Sequence, residues 1–166
     1  AAVLSAFIKV VQSIRDQAVI QEIVFAMESG NIERVIDLLQ LDRATYEPLE
    51  YEILQSFRDG GLTGAEQVGR IPMQEGALVA RFDVRSPAAE AWAASMSSRL
   101  VVEIIDSQRE TLREVIRQGL QNGDNPRTVA LDIVGRIGQS GKREGGFIGL
   151  TSNQAQWIVN ARKELQ

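Results

Sequence analysis

An apolar pattern at helical spacing, which continues from Ser86-Pro87 to about Leu120, restricts the fold of this chain more than any other feature. Serine followed by proline is typical of a helix start, and Asn122-Gly123 is typical of a helix end. A helix of roughly 35 residues would be ~50 Å long, so the chain is predicted to be mainly α. The polar stretch 106–111 predicts a bend in this helix, or the point where it leaves the core. The apolar positions are Trp92, Met96, Leu100, Val101, Ile104, Ile105, Leu112, Val115, Ile116 and Leu120.

The N-terminal stretch repeats the same spacing over about seven turns. We predict one long helix from Val3 to Met27, ended by Gly30-Asn31. Such a helix either packs on another element of the core or docks as an arm on a neighbouring subunit, and core packing is the favoured alternative. Asn31 is a suitable cap for a second helix of about three turns, which should end near Leu41-Asp42.

Prolines and glycines divide the next stretch of the chain. Pro48 suits the first turn of a third helix, which Gly60-Gly61 should interrupt and residues 62–68 could resume. Ile71-Pro72 then breaks the helical pattern.

Residues 77–84 are rich in β-branched side chains and partly alternate, which predicts a strand. A lone strand needs a partner, either the loop near Phe147-Ile148 or another chain. The predicted fold class is therefore mainly α, with long amphipathic helices and one short strand or small β-hairpin. We expect residues 1–84 to form a helical region that ends in the strand. Residues 85–166 should contain the long helix, a Gly-rich loop and a C-terminal helix.

Composition excludes several functions. The 166 residues contain no Cys and no His, so thiol nucleophiles, zinc fingers and Ser-His-Asp triads are excluded. The 44% of hydrophobic residues is sufficient for a core. Lys9 and Arg15 interrupt the apolar N-terminus early, so we expect no membrane span. Because the chain lacks an initiator Met and stops in mid-pattern, we expect it to be a portion of a longer protein.

Charge is distributed unevenly along the chain. The net charge of −4 argues against a protein that coats nucleic acid by charge alone. Residues 1–80 contain six basic and twelve acidic side chains, whereas residues 81–166 contain twelve basic and ten acidic ones. The two halves are therefore predicted to face different surroundings.

The C-terminal segment 128–165 joins two predicted helices through a Gly-rich basic loop. Asn125-Pro126 should start the first helix, and Gly138 should end it. Thr151 and Gln154 have the spacing of a capping box, so the second helix should begin at about Ser152. The predicted apolar stripe of the first helix is Val129, Ile133, Val134 and Ile137.

The tract from Gly138 to Arg143 resembles a phosphate-binding loop only superficially. A Walker loop has a glycine, four intervening residues and then Gly-Lys-Ser/Thr, whereas here Arg136 and Arg143 occupy the places of the first glycine and the hydroxyl. The five glycines between 138 and 149 indicate either a flexible loop or a loop folded closely against a neighbour.

Other candidate sites have ordinary structural explanations. Helical carboxylate pairs such as Asp124 with Asp132, or Glu110 with Glu114, usually face solvent. Core packing is favoured over base stacking for Trp92 and Trp157. Five cations are candidates for partner or DNA contact, although any solvated surface could carry them: Arg136, Lys142, Arg143, Arg162 and Lys163.

Two stretches of the chain, together about half its length, resemble the tailed-phage head-morphogenesis, or minor head protein, family (Mu F-like). One runs from residue 82 to residue 120, and the other from 128 to 165. The sharpest agreements are Asp132, Gly135, Arg136, Glu144-Gly145-Gly146, Gly149-Leu150-Thr151 and Gln154.

The resemblance implies a structural virion protein, present in multiple copies at the head interior or portal vertex after assembly in the host cytoplasm. Its expected partners are the portal protein and, in addition, the major capsid protein, with no enzyme activity, cofactor, metal or membrane. A DNA-binding packaging or ejection factor, in contact with double-stranded DNA, is the alternative. An enzyme that uses carboxylates is a third and weaker one.

Overall fold

The computed structural model describes residues 2–68, 70–73, 76–79, 86–150, 154, 155 and 160. This part of the chain is mainly α, as predicted, with two small antiparallel hairpins, β1–β2 and β3–β4. The helices are α1 (Ala2–Gln17), α2 (Ile20–Glu28), α3 (Ile32–Leu38), α4 (Arg43–Val68), α5 (Pro87–Gln121) and α6 (Pro126–Val134). The strands are β1 (Arg70–Met73), β2 (Gly76–Val79), β3 (Arg136–Ile137) and β4 (Arg143–Glu144).

The long central helix is confirmed, because α5 contains 35 residues. Ser86 occupies the N-cap position in extended conformation, although its side chain makes no capping hydrogen bond. Gly123 follows the helix end with a φ of 77°. The predicted exit from the core at 106–111 is wrong, since Gln108 and Thr111 are buried, whereas the alternative of a bend stays a prediction. Both residues can be buried because their polar atoms are hydrogen-bonded. The Thr111 Oγ1 donates to the Ser107 carbonyl at 2.8 Å.

Helices α4 and α5 form an antiparallel pair. Near the start of α4, the Arg109 Nε donates to the Leu41 carbonyl at 2.8 Å. Further along α4, Arg58 Nη2 lies 3.3 Å from Glu90 Oε1. Residue numbers therefore rise along one helix as they fall along the other.

The predicted core position of Trp92 is wrong. Its ring meets Phe57 edge to face at 5.5 Å between centroids, yet the residue remains 58% exposed. Trp92 lies near the N-terminus of α5, where it packs on α4 on one side only. Helical spacing alone does not reveal how far the covering neighbour extends.

The single N-terminal helix predicted for residues 3–27 is wrong, because the chain turns between α1 and α2. Val19 has an extended conformation, with φ −96° and ψ 101°. Helix α1 packs against α4, whereas α2 packs against α3 and α6. Ala18 and Ile23 are buried on either side of the turn, so the apolar spacing continues although the helix does not. The favoured core packing is confirmed, as in the buried Val10 and Ile14 of α1.

Capping side chains define the next two helices. Asn31 accepts a hydrogen bond from the Arg34 amide at 3.0 Å, which confirms it as the cap of α3. Helix α3 ends at Leu38, so it has about two turns instead of the predicted three.

Pro48 does not open the following helix, contrary to the prediction. Asp42 accepts from the Thr45 amide at 2.9 Å, so α4 begins at Arg43 and contains Pro48 in its interior. The helix also continues through Gly60 and its neighbour to residue 68, which contradicts the predicted interruption.

The predicted strand has a partner that the pattern did not indicate. Residues 76–79 form β2, which pairs with β1 in a register that places Arg70 opposite Val79 and Met73 opposite Gly76. Ile71-Pro72 therefore belongs to a strand and not to a break between elements. The loop near Phe147-Ile148 is therefore not the partner of this part of the strand, whereas pairing with another chain stays a prediction. Positions 80–84 of the prediction lie outside the described residues.

One hydrophobic cluster joins the two regions expected from the sequence. It takes side chains from all six helices and from the segment after β4. Ile23 of α2, Tyr46 of α4, Ile116 of α5 and Ile133 of α6 are fully buried members. The C-terminal segment is thus anchored directly on the core.

Candidate functional site

The Gly-rich segment begins where α6 ends. Asn125 accepts from the Arg127 amide at 2.9 Å, which confirms the predicted helix start. The predicted stop at Gly138 is wrong, because the helix ends at Val134 and Gly135 follows with a φ of 87°. A side chain at Gly135 would be both strained and only 2.5 Å from the Glu144 carbonyl.

The tract that resembled a phosphate loop is the turn of the β3–β4 hairpin. Ile137 pairs with Arg143 across the two strands. The Gly138 amide donates to the Lys142 carbonyl at 2.9 Å, and the Gly141 amide donates back to the Gly138 carbonyl at 3.1 Å. Ile137 is 68% exposed, so its predicted place in the apolar stripe of α6 is wrong.

After the hairpin, the chain folds back onto the end of α6. The Phe147 amide donates to the Asp132 carbonyl at 3.0 Å, and the Ile148 amide donates to the Ile133 carbonyl at 3.2 Å. Both side chains are buried in the core cluster. Gly146, with a φ of 90°, permits this approach, since a Cβ there would be 2.6 Å from the Ile133 carbonyl oxygen.

Gln108 of α5 holds the same segment from the other side. Its Oε1 accepts from the Gly149 amide at 2.8 Å, and its Nε2 donates to the Leu150 carbonyl at 2.7 Å. Gly149 lies against α1, because a Cβ at this position would be 3.0 Å from Val11. One side-chain amide thus satisfies two backbone groups of the segment.

Helix α1 completes the attachment. Arg15 Nη2 donates to the Ile148 carbonyl at 2.9 Å, and Gln12 Nε2 donates to the Arg143 carbonyl at 3.4 Å. Burial lowers the pKa of Arg15, an effect that the neighbouring Asp16 partly offsets. Of the two alternatives left open by the glycines, the loop folded closely against a neighbour is therefore the one observed.

Three of the five candidate cations lie together on the hairpin. Arg136 is exposed, and its Nη1 lies 3.0 Å from Asp132 Oδ1. Arg143 Nη1 donates to the Gly135 carbonyl at 3.1 Å. Lys142 is exposed at the turn. The other two candidates, Arg162 and Lys163, lie outside the described residues.

Carboxylates reduce the positive charge of the hairpin. Asp132 was expected to face water, but its side chain is only 15% exposed beneath Arg136. Glu144 accepts from the Ser140 hydroxyl at 2.9 Å. Three cations and two carboxylates leave the described hairpin region with a net charge of about +1.

Three of the four carboxylates considered for catalysis, Glu110, Glu114 and Asp132, form ion pairs with arginines. Glu110 lies 3.5 Å from Arg113, and Glu114 lies 2.6 Å from Arg117. Among the described residues, no group of three potential metal ligands comes together. No helix in the described ranges is long and apolar enough to cross a membrane.

The predicted C-terminal helix is described only in part. Gln154, Ala155 and Asn160 are helical, and Ala155 is buried. Thr151 of the capping box and Trp157 lie outside the described residues.

Sequence reasoning did not identify the residues that attach the loop. A signal for Gln108 was present, since it lies three residues after Ile105 and four before Leu112 on the buried face of α5. A polar residue on an apolar stripe indicates a buried hydrogen-bond partner. Arg15 had a similar position, four residues after the buried Val11 and three before the buried Ala18. No protein-family model matches this chain, and no curated protein or solved structure matches it.

Proposed function

We propose that this chain is a structural, non-enzymatic minor head protein of a tailed phage. In this role it binds the portal protein, and in addition the major capsid protein, during head assembly. It remains in the virion in multiple copies, at the head interior or portal vertex.

One observation carries the proposal: several residues on which the family resemblance rests hold the Gly-rich segment in its fold. Gly135 and Gly149 allow close backbone contacts, and Asp132 and Glu144 hold the hairpin through Arg136 and Ser140. These residues build a closely held element that carries the exposed side chains of Arg136, Ile137 and Lys142. A pattern of this kind supports a role in assembly, because a rigid loop on a packed scaffold is a common binding element.

The chemistry of the described side chains also favours assembly over catalysis. The candidate carboxylates Glu110, Glu114 and Asp132 each bind an arginine. A general acid or base needs a group that can reach a substrate and exchange a proton with it. Carboxylates held in ion pairs on helices and beside a turn are better suited to fixing the fold.

A DNA-binding packaging or ejection factor is the second candidate function. It is favoured by one observation, the exposed positions of Arg136 and Lys142 on the same hairpin. Phosphate contact would make affinity fall steeply with salt, by about 0.9 log units per log unit of salt for each phosphate neutralised. The net charge of the hairpin region is too small to support tight binding of this kind without the cations at 162 and 163.

Co-expression with the portal protein of the same phage tests the proposal. Size-exclusion chromatography with light scattering should detect a complex of defined stoichiometry. The complex should persist at roughly 0.5 M salt, where interactions between surface charges are strongly screened. The absence of a complex, together with salt-sensitive retention of duplex DNA, would favour the second candidate. Loss of a hydrolytic activity in an Asp132→Asn variant would support the enzyme alternative.

A further inference from the structure

The turn of the β3–β4 hairpin combines an exposed aliphatic side chain with outward-facing cations. We propose that residues 136–143, here called the hairpin tip, form the surface by which this chain binds its assembly partner. The partner is inferred to be a protein surface with an apolar cleft bordered by carboxylates. The identity of that protein as the portal rests on the proposed function, whereas the chemistry of the surface does not.

Ile137 is the apolar anchor of this surface. It is 68% exposed, and it does not belong to the hydrophobic cluster of the core. Large side chains that insert into a partner's pocket contribute most of the binding energy in protein interfaces. The residues that follow, from Gly138 to Gly141, are small or polar and leave the Ile137 side chain accessible.

The hairpin tip is held in place before any partner binds. Arg136 is held at one end by Asp132, and the Arg143 carbonyl at the other end accepts from Gln12. The turn closes on itself through the Gly138 amide and the Lys142 carbonyl. The segment that follows β4 is attached to the core through Arg15 and Gln108. A surface that is already ordered loses little conformational entropy on association. This arrangement fits a docking element better than it fits a linker.

Charge complementarity selects an acidic partner. Arg136 and Lys142 both face outward, and the Lys142 ammonium forms no ion pair within the described part of the chain. Of the nearby carboxylates, Asp132 lies beneath Arg136, and the exposed Glu144 lies opposite Arg136 across the strands and accepts from the Ser140 hydroxyl, so the region keeps a net charge of about +1. The outward charge is therefore positive, which favours approach of carboxylates and disfavours basic surfaces.

A protein fits this surface better than a nucleic acid does. With two outward cations, at most about two phosphates would be neutralised, which predicts a salt dependence far below that of proteins that bind duplex DNA by charge. The exposed Ile137 side chain offers the phosphate backbone no hydrogen bond. An apolar cleft with an acidic border would satisfy both features of the hairpin tip.

Photo-crosslinking tests the proposal directly. A benzoylphenylalanine at position 137 is introduced into the full chain, which is co-expressed with the portal and major capsid proteins of the same phage. A crosslink to the portal supports both the hairpin tip and the proposed function. A crosslink to the capsid protein alone supports the hairpin tip and contradicts the portal as partner. No crosslink to either protein would overturn the proposal.

Matched substitutions measure the contribution of each feature. Ile137→Ser should weaken portal binding at least about tenfold, and Lys142→Glu should weaken it several-fold, with a smaller dependence on salt. Ile8→Ser is the control, because Ile8 is similarly exposed on α1 at 57%. It should bind as the unchanged chain does, and all three variants should keep the same melting temperature within about 2 °C.

Two results of this series would contradict the hairpin tip as the docking surface. One is loss of binding in Ile8→Ser with full binding in Ile137→Ser, which would assign the interface to α1. The other is that the chain retains a 30-base-pair DNA duplex, roughly three helical turns, at low salt, and that Lys142→Glu abolishes this retention while portal binding stays unchanged. By contrast, if the unchanged chain does not bind the portal protein, the proposed function is rejected. The crosslink from position 137 to the capsid protein then still tests the hairpin tip.

Discussion

Replacement of Gln108 by leucine should destabilise the protein substantially, although leucine is apolar and the site is buried. Gln108 is 5% exposed, and its amide makes hydrogen bonds of 2.8 and 2.7 Å with the Gly149 amide and the Leu150 carbonyl. The substitution removes both bonds and leaves the two part-buried backbone groups without their partner. Leucine has a similar size, so the measured effect reports the hydrogen bonds more than a cavity.

The magnitude follows from the two bonds. Each contributes about 0.5–1.5 kcal/mol net, and leaving a buried donor or acceptor unsatisfied costs about 1–3 kcal/mol. Burial of the leucine side chain returns part of this, about 1–2 kcal/mol at most. We expect a net loss of about 2–3 kcal/mol in the free energy of unfolding, which corresponds to a decrease of roughly 4–12 °C in melting temperature.

Urea unfolding followed by far-ultraviolet circular dichroism measures this loss through the transition midpoint. Gln121→Leu is the matched control, because Gln121 is exposed at the end of the same helix and should change stability by less than about 0.5 kcal/mol. Hydrogen exchange should also show faster exchange of the Gly149 amide in Gln108→Leu. Equal or higher stability of Gln108→Leu, with an unchanged Gly149 amide, would refute the reasoning.

Two further predictions concern a glycine of the loop and a buried phenol. Gly146→Ala should lower stability by about 2–4 kcal/mol in urea unfolding, since its Cβ would meet the Ile133 carbonyl. Gly141→Ala, at a similar φ in open space, should lose only about 1–2 kcal/mol, and equal losses would contradict the packing argument. Burial raises the pKa of Tyr46 to about 12, so the stability contributed by the neutral phenol is present below pH ~10 and lost as pH rises through about 12. Tyr46→Phe should therefore keep or slightly raise the free energy of unfolding at pH 7, because the hydroxyl has no hydrogen-bond partner among the described residues. Between roughly pH 9 and 12, the variant should lose less stability than the unchanged chain. A steeper loss of stability in the variant would contradict this.

Local signals in the sequence predicted helix existence and capping well. The Asn31 and Asn125 caps, the 35-residue α5 and its end at Asn122-Gly123 agree with the structure. Each depends on interactions within one turn of the chain. The mainly helical fold class follows from the same patterns.

Signals that depend on distant neighbours were not recoverable from one sequence. The turn at Val19 divides an apolar stripe that continues on both sides, because α1 and α2 pack on different helices. The start of α4 is a different case, because the cap that sets it is local: Asp42 accepts from the Thr45 amide, and Pro48 then lies inside the helix. The exposure of Trp92 depends on how its neighbour covers it.

The candidate site was predicted in composition but not in arrangement. Arg136, Lys142 and Arg143 do lie together, since the hairpin brings β3 against β4. The side chains that hold the loop come from residues 12, 15 and 108, each more than 40 positions before the residue that it binds. Ile137 was assigned to the core because its spacing continued the stripe of α6 past the glycine that ends it.

The central claim is that a loop fixed on the core presents the hairpin tip to an assembly partner. Hydrogen exchange tests this claim most directly, when the free chain is compared with its complex with the portal protein. In the free chain, the amides of Phe147, Ile148 and Gly149 should already exchange slowly, because the first two are hydrogen-bonded to carbonyls of α6 and the third to Gln108 of α5. On complex formation, slow exchange should extend to residues 137–142. Rapid exchange of the three loop amides in the free chain, or unchanged exchange at 137–142 in the complex, would contradict the account.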